Sequence, residues 1–136
     1  MIEVQTVPDN YLYSIWPLVE PMLDKALVVS QNDYDINHLK SYVTNKSQTL
    51  LVAVEDNKIV GAATLSLVNY PNHRVATIIA MGGRAIVKPE VFEQVVQWAK
   101  SQGATKIRAA AREAQARLYK QKAGLDTTMY VIEKLI

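Results

Sequence analysis

The chain has 136 residues, 49% hydrophobic and 21% charged, which is typical of one globular domain with a single core and excludes a disordered chain. It contains no cysteine, so a disulfide framework, a thiolate zinc site and a cysteine nucleophile are all excluded. No apolar run approaches the roughly 18–20 residues that cross a bilayer. The first residues do not place a basic segment before an apolar one, so we expect no signal peptide, no membrane association and a cytoplasmic location.

The net charge of +2 is unevenly distributed. Residues 100–136 hold eight Lys or Arg against three Asp or Glu, whereas residues 1–99 hold seven against ten. A basic C-terminal third suits an anionic ligand such as a phosphate-bearing cofactor, or an acidic partner surface. It is also what a solvated helix face would show. Nucleic-acid binding is not indicated, and no ligand spacing predicts a metal site.

The first half of the chain predicts a strand, two helices and a three-stranded meander. Alternation predicts a strand over Ile2–Val7. Apolar residues recur at helical spacing from Leu12 to Ala26 and predict a helix, with Ser14 as a candidate N-cap and a kink or a restart at Pro21. A second short helix opens at Asp33-Tyr34-Asp35. Polar turns then join three antiparallel strands, predicted over Leu50–Val54, Ile59–Val68 and Val75–Met81.

The second half predicts alternating helices and strands. Gly82-Gly83 is interpreted as a turn, and Pro89 fits the first turn of a helix that Gly103 ends. The remaining elements are a parallel strand, a helix and a last strand, over Thr105–Ala111, Ala114–Ala123 and Thr127–Ile136. The predicted order is β-α-α-β-β-β-α-β-α-β. This is an α/β (α+β) fold with a mixed, mostly antiparallel sheet and helices on both faces, in a single domain over residues 1–136.

This order resembles that of the GNAT acetyltransferases, and the resemblance covers nearly the whole chain. Val52–Ala62 is similar to the family's central hairpin, and Phe92–Gly103, followed by Ala104-Thr105-Lys106-Ile107, is similar to its third helix and fifth strand. The run Leu118–Leu125 resembles the late (L/F)-Y-x-K-x-G-F motif. The spacing from the tyrosine to the glycine is one residue longer here than in the motif, since Gly124 lies five residues after Tyr119.

A closer resemblance is to small GNAT-like proteins of tailed bacteriophages. The matching features are Ile15-Trp16-Pro17, Tyr70-Pro71, Gly82-Gly83, the segment Trp98–Gly103, and Arg112. That group usually has Gly-Trp after the Arg, where this chain has Glu113-Ala114. The resemblance implies a viral origin, a place in the host cytoplasm or the virion, and a phage virion protein or a host protein as partner.

The GNAT resemblance implies acetyl-CoA as cofactor, with its pyrophosphate on a (Q/R)-x-x-G-x-(G/A) loop at a helix N-terminus. Counting from Arg84, Val87 stands at the first glycine position of this loop and Pro89 at the second. The valine side chain adds bulk where the phosphate would approach the backbone, and the proline has no backbone N–H to donate. We therefore expect cofactor binding to be weak or lost. The candidate cofactor-binding residues are Met81, Gly82, Gly83, Arg84, Lys88 and Arg112. The alternative is that Gly82-Gly83 only turns the chain and that Lys88 is a solvated charge.

Two residues are catalytic candidates. Tyr119 matches the family tyrosine that protonates the leaving thiolate, although a tyrosine here could simply pack on the fifth strand. His73, in the turn before the fourth strand, is a candidate base, or else an exposed turn residue. The fourth and fifth strands contain no acidic residue, and Glu113 is the nearest carboxylate to the expected cleft.

Two functions therefore remain open from the sequence. One is an acyl-CoA-dependent N-acetyltransferase acting on a small-molecule or protein amine. The other is a non-catalytic phage virion component or host-directed adaptor. The apolar last strand, Met129–Ile136, could pair across a homo-oligomer or with another protein.

Overall fold

The computed structural model describes residues 1–27, 33–83 and 88–136. Its elements are β1 (Glu3–Thr6), a 3-10 turn (Asp9–Tyr11), α1 (Leu12–Ala26), α2 (Ile36–Thr44), β2 (Thr49–Glu55), β3 (Lys58–Asn69), β4 (Arg74–Gly83), α3 (Pro89–Ser101), β5 (Lys106–Ala109) and α4 (Glu113–Ala123). The sheet has the order β1-β2-β3-β4-β5. Its first four strands pair antiparallel, and β5 runs parallel to β4 after the α3 crossover, as predicted.

Helices cover both faces of the sheet. Leu50 and Val52 of β2 join one core cluster with α1 and α2, whereas Leu51 joins a second cluster with Phe92 and Val95 of α3. Successive residues of a strand point to opposite faces, so a strand covered on both sides is apolar at consecutive positions. This explains the unbroken apolar run that predicted β2.

Local chemistry fixes several boundaries as the sequence predicts. The Asp35 carboxylate caps α2 by accepting the backbone N–H groups of Asn37 at 2.9 Å and His38 at 3.2 Å. The His38 ring accepts the Asp35 backbone N–H at 3.0 Å in return. Asp56 and Asn57 between β2 and β3 both have positive φ, 51° and 62°, which is the geometry of a tight hairpin turn.

Of the two outcomes predicted at Pro21, a kink or a restart of the helix, the restart is wrong. One helix, α1, runs from Leu12 to Ala26 with both Pro17 and Pro21 inside it. Trp16, Val19 and Leu23 are buried along one side, and this packing offsets the backbone hydrogen bonds that proline cannot make. Ser14 is not the cap, since Tyr11 precedes the helix and the Ser14 hydroxyl donates to the Tyr11 carbonyl at 3.0 Å.

Gly82 and Gly83 do not form a turn. They are the last residues of β4 and pair with Ala62 and Gly61 of β3. A Cβ on Gly82 would collide with the Met22 carbonyl oxygen, and one on Gly83, where φ is +106°, would lie 2.5 Å from the Gly61 Cα. Glycine is needed here because β4 passes this close to α1 and β3.

The predicted last strand, Thr127–Ile136, is also absent. Gly124 ends α4 in the left-handed region, with φ 73°, and residues 126–136 are exposed and belong to no strand. The sequence has strong β propensity there, but a strand forms only where a neighbour pairs with it. Among the described residues, none of the helices combines the length and apolar character that a membrane span requires.

Candidate active site

The candidate site begins where β4 and β5 separate. Their parallel pairing runs from Val75 and Lys106 to Ile78 and Ala109 and goes no further. β4 continues five residues beyond this point, to Gly83. Within the described part of the chain, the side of β4 that faces β5 therefore has no strand partner from Ile79 onward.

A bulge in β4 marks the same point. Thr64 of β3 pairs with Ala80, but its neighbour Leu65 pairs with Ile78, so Ile79 is an extra residue in β4. A bulge bends its strand and increases the local twist. We attribute the separation of β4 from β5 to this bend, together with the short length of β5.

Two cavities adjoin along this stretch of β4. The narrower, about 30 Å³, lies between β4, β5 and α4, and its described lining residues are Ala26, Ile78, Ile79, Ala80, Met81, Ala109, Ala110, Gln115 and Tyr119. The larger, about 390 Å³, lies between α1 and the end of β4, and is lined by Pro21, Met22, Lys25, Ala26, Met81, Gly82 and Gly83. Because Ala26 and Met81 line both, the two cavities adjoin, and we call them together the β4 groove.

Tyr119 lies in the narrow part of the β4 groove. Its ring centroid is 6.3 Å from that of Phe92, with the rings inclined at 44°, so the tyrosine also packs against α3. Burial raises the pKa of its hydroxyl above the usual 10.0, because the phenolate is poorly solvated there. The hydroxyl therefore stays protonated at neutral pH and can act as a proton donor.

The structure brings Met81, Gly82 and Gly83 into the groove with Tyr119, but not the predicted cations Lys88 and Arg112. Arg84 and Val87 fall outside the described residues. Lys88 is exposed and precedes α3 as its N-cap. Arg112 is the exposed N-cap of α4, and its backbone N–H donates to the Gln115 side-chain oxygen at 3.3 Å. Neither is among the residues that line the groove.

The start of α3 offers little to an anion. Pro89 has no N–H, and the amides of Val91 and Phe92 both donate to the Lys88 carbonyl at 3.0 Å. The Glu90 amide has no hydrogen-bond acceptor among the described residues, and the carboxylate of Glu90 itself repels a phosphate. Helix N-termini bind anions through free amides and the helix dipole. This one therefore fits a pyrophosphate poorly.

His73 is not in the groove. It lies in the β3–β4 turn, with its Nδ1 atom 3.0 Å from the Thr105 hydroxyl, and it helps join that turn to the start of β5. It precedes Ile78 by five residues, which is about 16 Å along an extended strand. The structure therefore places this candidate base at the opposite end of β4 from Tyr119.

Sequence reasoning missed part of the groove. Gln115 follows Arg112 by three residues, the spacing of a helix-capping pair, which could have placed it at the start of α4. Met22 and Ala26 are four residues apart on α1, so they share one helix face. Nothing in the sequence indicated that this face meets the end of β4. No Asp, Glu or His is among the described residues that line the groove.

Neither the known protein-family models nor the curated proteins include a match to this chain. Solved structures do match. A predicted acetyltransferase with acetyl-CoA from Clostridium acetobutylicum is 15% identical with a TM-score of 0.64, over 98% of this chain and 96% of that one. An aminoglycoside acetyltransferase from an uncultured soil metagenomic sample, in complex with trehalose, is 15% identical with a TM-score of 0.71, over 99% and 96%.

A third solved structure, AAC(6')-Iy in complex with the bisubstrate analogue CoA-S-monomethyl-acetylneamine, is 14% identical with a TM-score of 0.71. The match covers 100% of this chain and 98% of that one. At such low identities the similarity establishes the fold alone. The chain has the α/β fold of the GNAT acetyltransferases, with a mixed five-stranded sheet.

Proposed function

We propose that this chain binds acetyl-CoA weakly through its acyl-pantetheine arm and transfers the acetyl group slowly to an amine, with Tyr119 as general acid. The observation that carries the proposal is the β4 groove itself. In it, a protonated tyrosine lies beside a stretch of β4 that has lost its neighbouring strand.

The residues present fit one part of the cofactor and not another. A pantetheine arm carries amide groups, and an unpaired strand side can hydrogen-bond such groups as it would an added strand. Ile79 to Gly83 provide that side. The start of α3, with Pro89 and Glu90, does not fit the pyrophosphate. Weak binding follows, because the charged end of the cofactor gains little from the described residues.

Acetyl-CoA supplies an acetyl group activated as a thioester. In the transfer, the amine nitrogen bonds to the carbonyl carbon, the carbon–sulphur bond breaks, the nitrogen loses a proton and the sulphur gains one. In this proposal Tyr119 gives the sulphur its proton. Water takes the nitrogen's proton, since no acidic or histidine side chain is among the described residues of the groove. A well-placed general acid or base is worth about 10²–10⁴-fold in rate, so the missing base implies slow turnover.

The wide part of the groove, between α1 and the end of β4, is where we place the acceptor amine. Lys25 is the one charged residue among its described lining, and a cation disfavours a polycationic acceptor. Some structural neighbours act on aminoglycosides, but this lining favours an amine carried by a neutral or anionic molecule.

A second candidate is a non-catalytic protein-binding role, as a phage virion component or a host-directed adaptor. The lack of a base among the described groove residues and the poor anion site at α3 favour it. The phage origin itself rests on the resemblance carried by Ile15-Trp16-Pro17, Tyr70-Pro71 and the other matching segments.

Two measurements separate these functions. Calorimetric titration with acetyl-CoA should give a Kd near 100 μM, about −5.5 kcal/mol. Acetyl-pantetheine should bind within about tenfold of this value (roughly 1.4 kcal/mol), because the phosphates add little. Release of free coenzyme A can be followed with a thiol reagent without background, since the chain has no cysteine.

Tyr119→Phe should leave both Kd values unchanged and lower the rate of amine acetylation by about 10²-fold or more. Tyr130→Phe, at a tyrosine that is 87% exposed, is the matched control and should leave the rate unchanged. Equal rates for wild type and Tyr119→Phe would refute the general-acid role. Binding without turnover on any amine would support the second candidate, and no binding at millimolar acetyl-CoA would remove the first.

A further inference from the structure

One amine of the chain itself lies in the β4 groove. Lys25 lines the wide part of the groove, and it is the only lysine among the described residues that line either part. This residue is exposed and forms no ion pair within the described part of the chain, whereas Lys46 is paired with Asp9 at 2.9 Å. No carboxylate among these residues therefore holds the Lys25 amine away from the groove.

The packing of α1 on β4 places this amine beside the end of the strand. Gly82 lies so close to the Met22 carbonyl that a Cβ there would collide with it. Lys25 follows Met22 by three residues, so the two are neighbours on one face of α1, about 4.5 Å apart along the helix axis. Long side chains on a helix lean toward its N-terminus, so the Lys25 side chain leans back toward the turn that meets Gly82.

The reacting end of the bound cofactor lies within reach of the same amine. In the binding mode proposed above, the pantetheine arm follows Ile79 to Gly83 and the sulphur lies beside Tyr119, in the narrow part. Ala26 lines both parts of the groove and is the next residue after Lys25, so an acetyl group on that sulphur lies near the boundary of the two parts. Lysine carries its amine on a flexible four-carbon stem, which permits the approach of about 3–3.5 Å that attack on a carbonyl requires.

We propose that Lys25 is itself an acceptor, and that the chain acetylates this residue from bound acetyl-CoA. The neutral form of the Lys25 amine is the nucleophile. Its nitrogen bonds to the carbonyl carbon of the thioester and loses a proton to water, while the carbon–sulphur bond breaks. The sulphur leaves with the proton of Tyr119, which takes one back from water, so the products are Nε-acetylated Lys25 and free coenzyme A. This inference rests on the proposed function, because it uses the same cofactor and the same acid.

The tether favours this reaction over transfer to a dilute external amine. A group on a short flexible tether has an effective concentration of the order of millimolar, and it needs no binding step of its own. An external amine has to enter the wide part of the groove beside the positive charge of Lys25. Acetylation removes that charge, which is the only one among the described lining residues of the wide part. The modification therefore also alters the surface that an external acceptor meets.

Peptide mass spectrometry of the chain incubated with acetyl-CoA tests the modification. Lys40 is the internal control, because it is exposed on α2 and lines neither part of the groove. Lys25 should be acetylated at least about tenfold faster than Lys40, since only Lys25 shares the groove with the cofactor. Tyr119→Phe should slow the acetylation of Lys25 by about 10²-fold and leave that of Lys40 unchanged. Equal rates at the two lysines, or a Lys25 rate that Tyr119→Phe does not change, would overturn the proposal.

The dependence on protein concentration shows whether the transfer occurs within one chain. The rate of Lys25 acetylation per molecule should stay constant over about a hundredfold range of protein concentration, since donor and acceptor belong to one molecule. A rate that rises in proportion to the concentration would show transfer between copies and overturn the proposal. If acetyl-CoA acetylates an added amine while Lys25 stays unmodified, this inference alone is refuted. If acetyl-CoA does not bind, the proposed function is refuted with it.

A second measurement tests the position of Lys25 without acetyl transfer. The chain has no cysteine, so Lys25→Cys and Lys40→Cys each introduce a single thiol at an exposed position. Bromoacetyl-pantetheine carries an electrophile where the cofactor carries its acetyl group, and iodoacetamide, which lacks the arm, measures the intrinsic reactivity of each thiol. After correction for that reactivity, bromoacetyl-pantetheine should label Lys25→Cys at least about tenfold faster than Lys40→Cys, because the arm binds beside it. The same ratio of rates with both reagents would overturn the placement of Lys25 at the acetyl group.

Discussion

Gly82→Ala should destabilise the protein, although alanine usually strengthens a strand. The new Cβ would collide with the Met22 carbonyl oxygen and lie 2.9 Å from its carbonyl carbon. Both atoms belong to the backbone of α1, so no side-chain rotation relieves the contact. Overpacking of this kind costs about 1–3 kcal/mol, and removing a glycine from a strand returns about 0.5–1 kcal/mol. We expect a net loss of about 1–2 kcal/mol in the free energy of unfolding.

Urea unfolding measures this directly. With a slope near 2 kcal/mol/M, the midpoint should fall by roughly 0.5–1 M. Gly124→Asn is the control, because no atom lies within 4 Å of a Cβ at Gly124 and asparagine tolerates its left-handed conformation. It should change the midpoint little. A Gly82→Ala variant as stable as wild type would refute the close approach of β4 to α1.

Three further predictions concern the core and the groove. Leu23→Ala, at a fully buried position, should lower the free energy of unfolding by about 2–5 kcal/mol. Leu18→Ala, at a 57% exposed position of the same helix, should change it by less than about 0.5 kcal/mol. Similar losses for the two variants would refute the orientation of α1. The buried Thr64 hydroxyl has no hydrogen-bond partner among the described residues. Thr64→Val should therefore raise the free energy of unfolding by up to about 1–2 kcal/mol. A decrease of more than about 1 kcal/mol in the free energy of unfolding would show that the hydroxyl has an unrecognised partner. The pKa of Tyr119 is raised by burial above 10.0, so above pH 10 the unfolded chain loses its proton first. Stability should therefore fall as the pH rises from 10 toward the folded-state pKa. Tyr119→Phe should make this fall shallower, and parallel pH profiles would contradict the burial.

The sequence predicted the elements whose signals are local. The Asp35 side chain caps the helix by itself, and Asp56 and Asn57 tolerate the positive φ that a tight hairpin turn needs. Both signals are local, so α2 and the β2–β3 hairpin lie where expected. The restart at Pro21 and the turn at Gly82-Gly83 were wrongly predicted for the opposite reason. Packing of Trp16 and Leu23 keeps α1 continuous, and the approach of α1 and β3 to β4 requires the glycines. Neither contact is visible in a local pattern.

The site was predictable only where a motif carried it. Tyr119, for which the GNAT resemblance implied a role as acid, lies in the groove, and that role stays a prediction. The groove itself depends on the bulge at Ile79 and on the early end of β5, which have no signal in the sequence. His73 had the chemistry of a base but not the position, because the direction of β4 places it at the far end. The last strand was wrongly predicted, because the β propensity of Met129–Ile136 does not provide a neighbouring strand to pair with.

The most direct test of acetyl-CoA binding in the β4 groove is a titration of ¹⁵N-labelled protein with acetyl-CoA, followed by amide chemical shifts. The largest changes should fall on Ile79 to Gly83, with smaller ones at Ala109, Ala110 and Tyr119. Acetyl-pantetheine should reproduce this pattern. Unchanged spectra at millimolar acetyl-CoA, or shifts confined to residues away from β4 and α4, would contradict the assignment of this groove as the cofactor site.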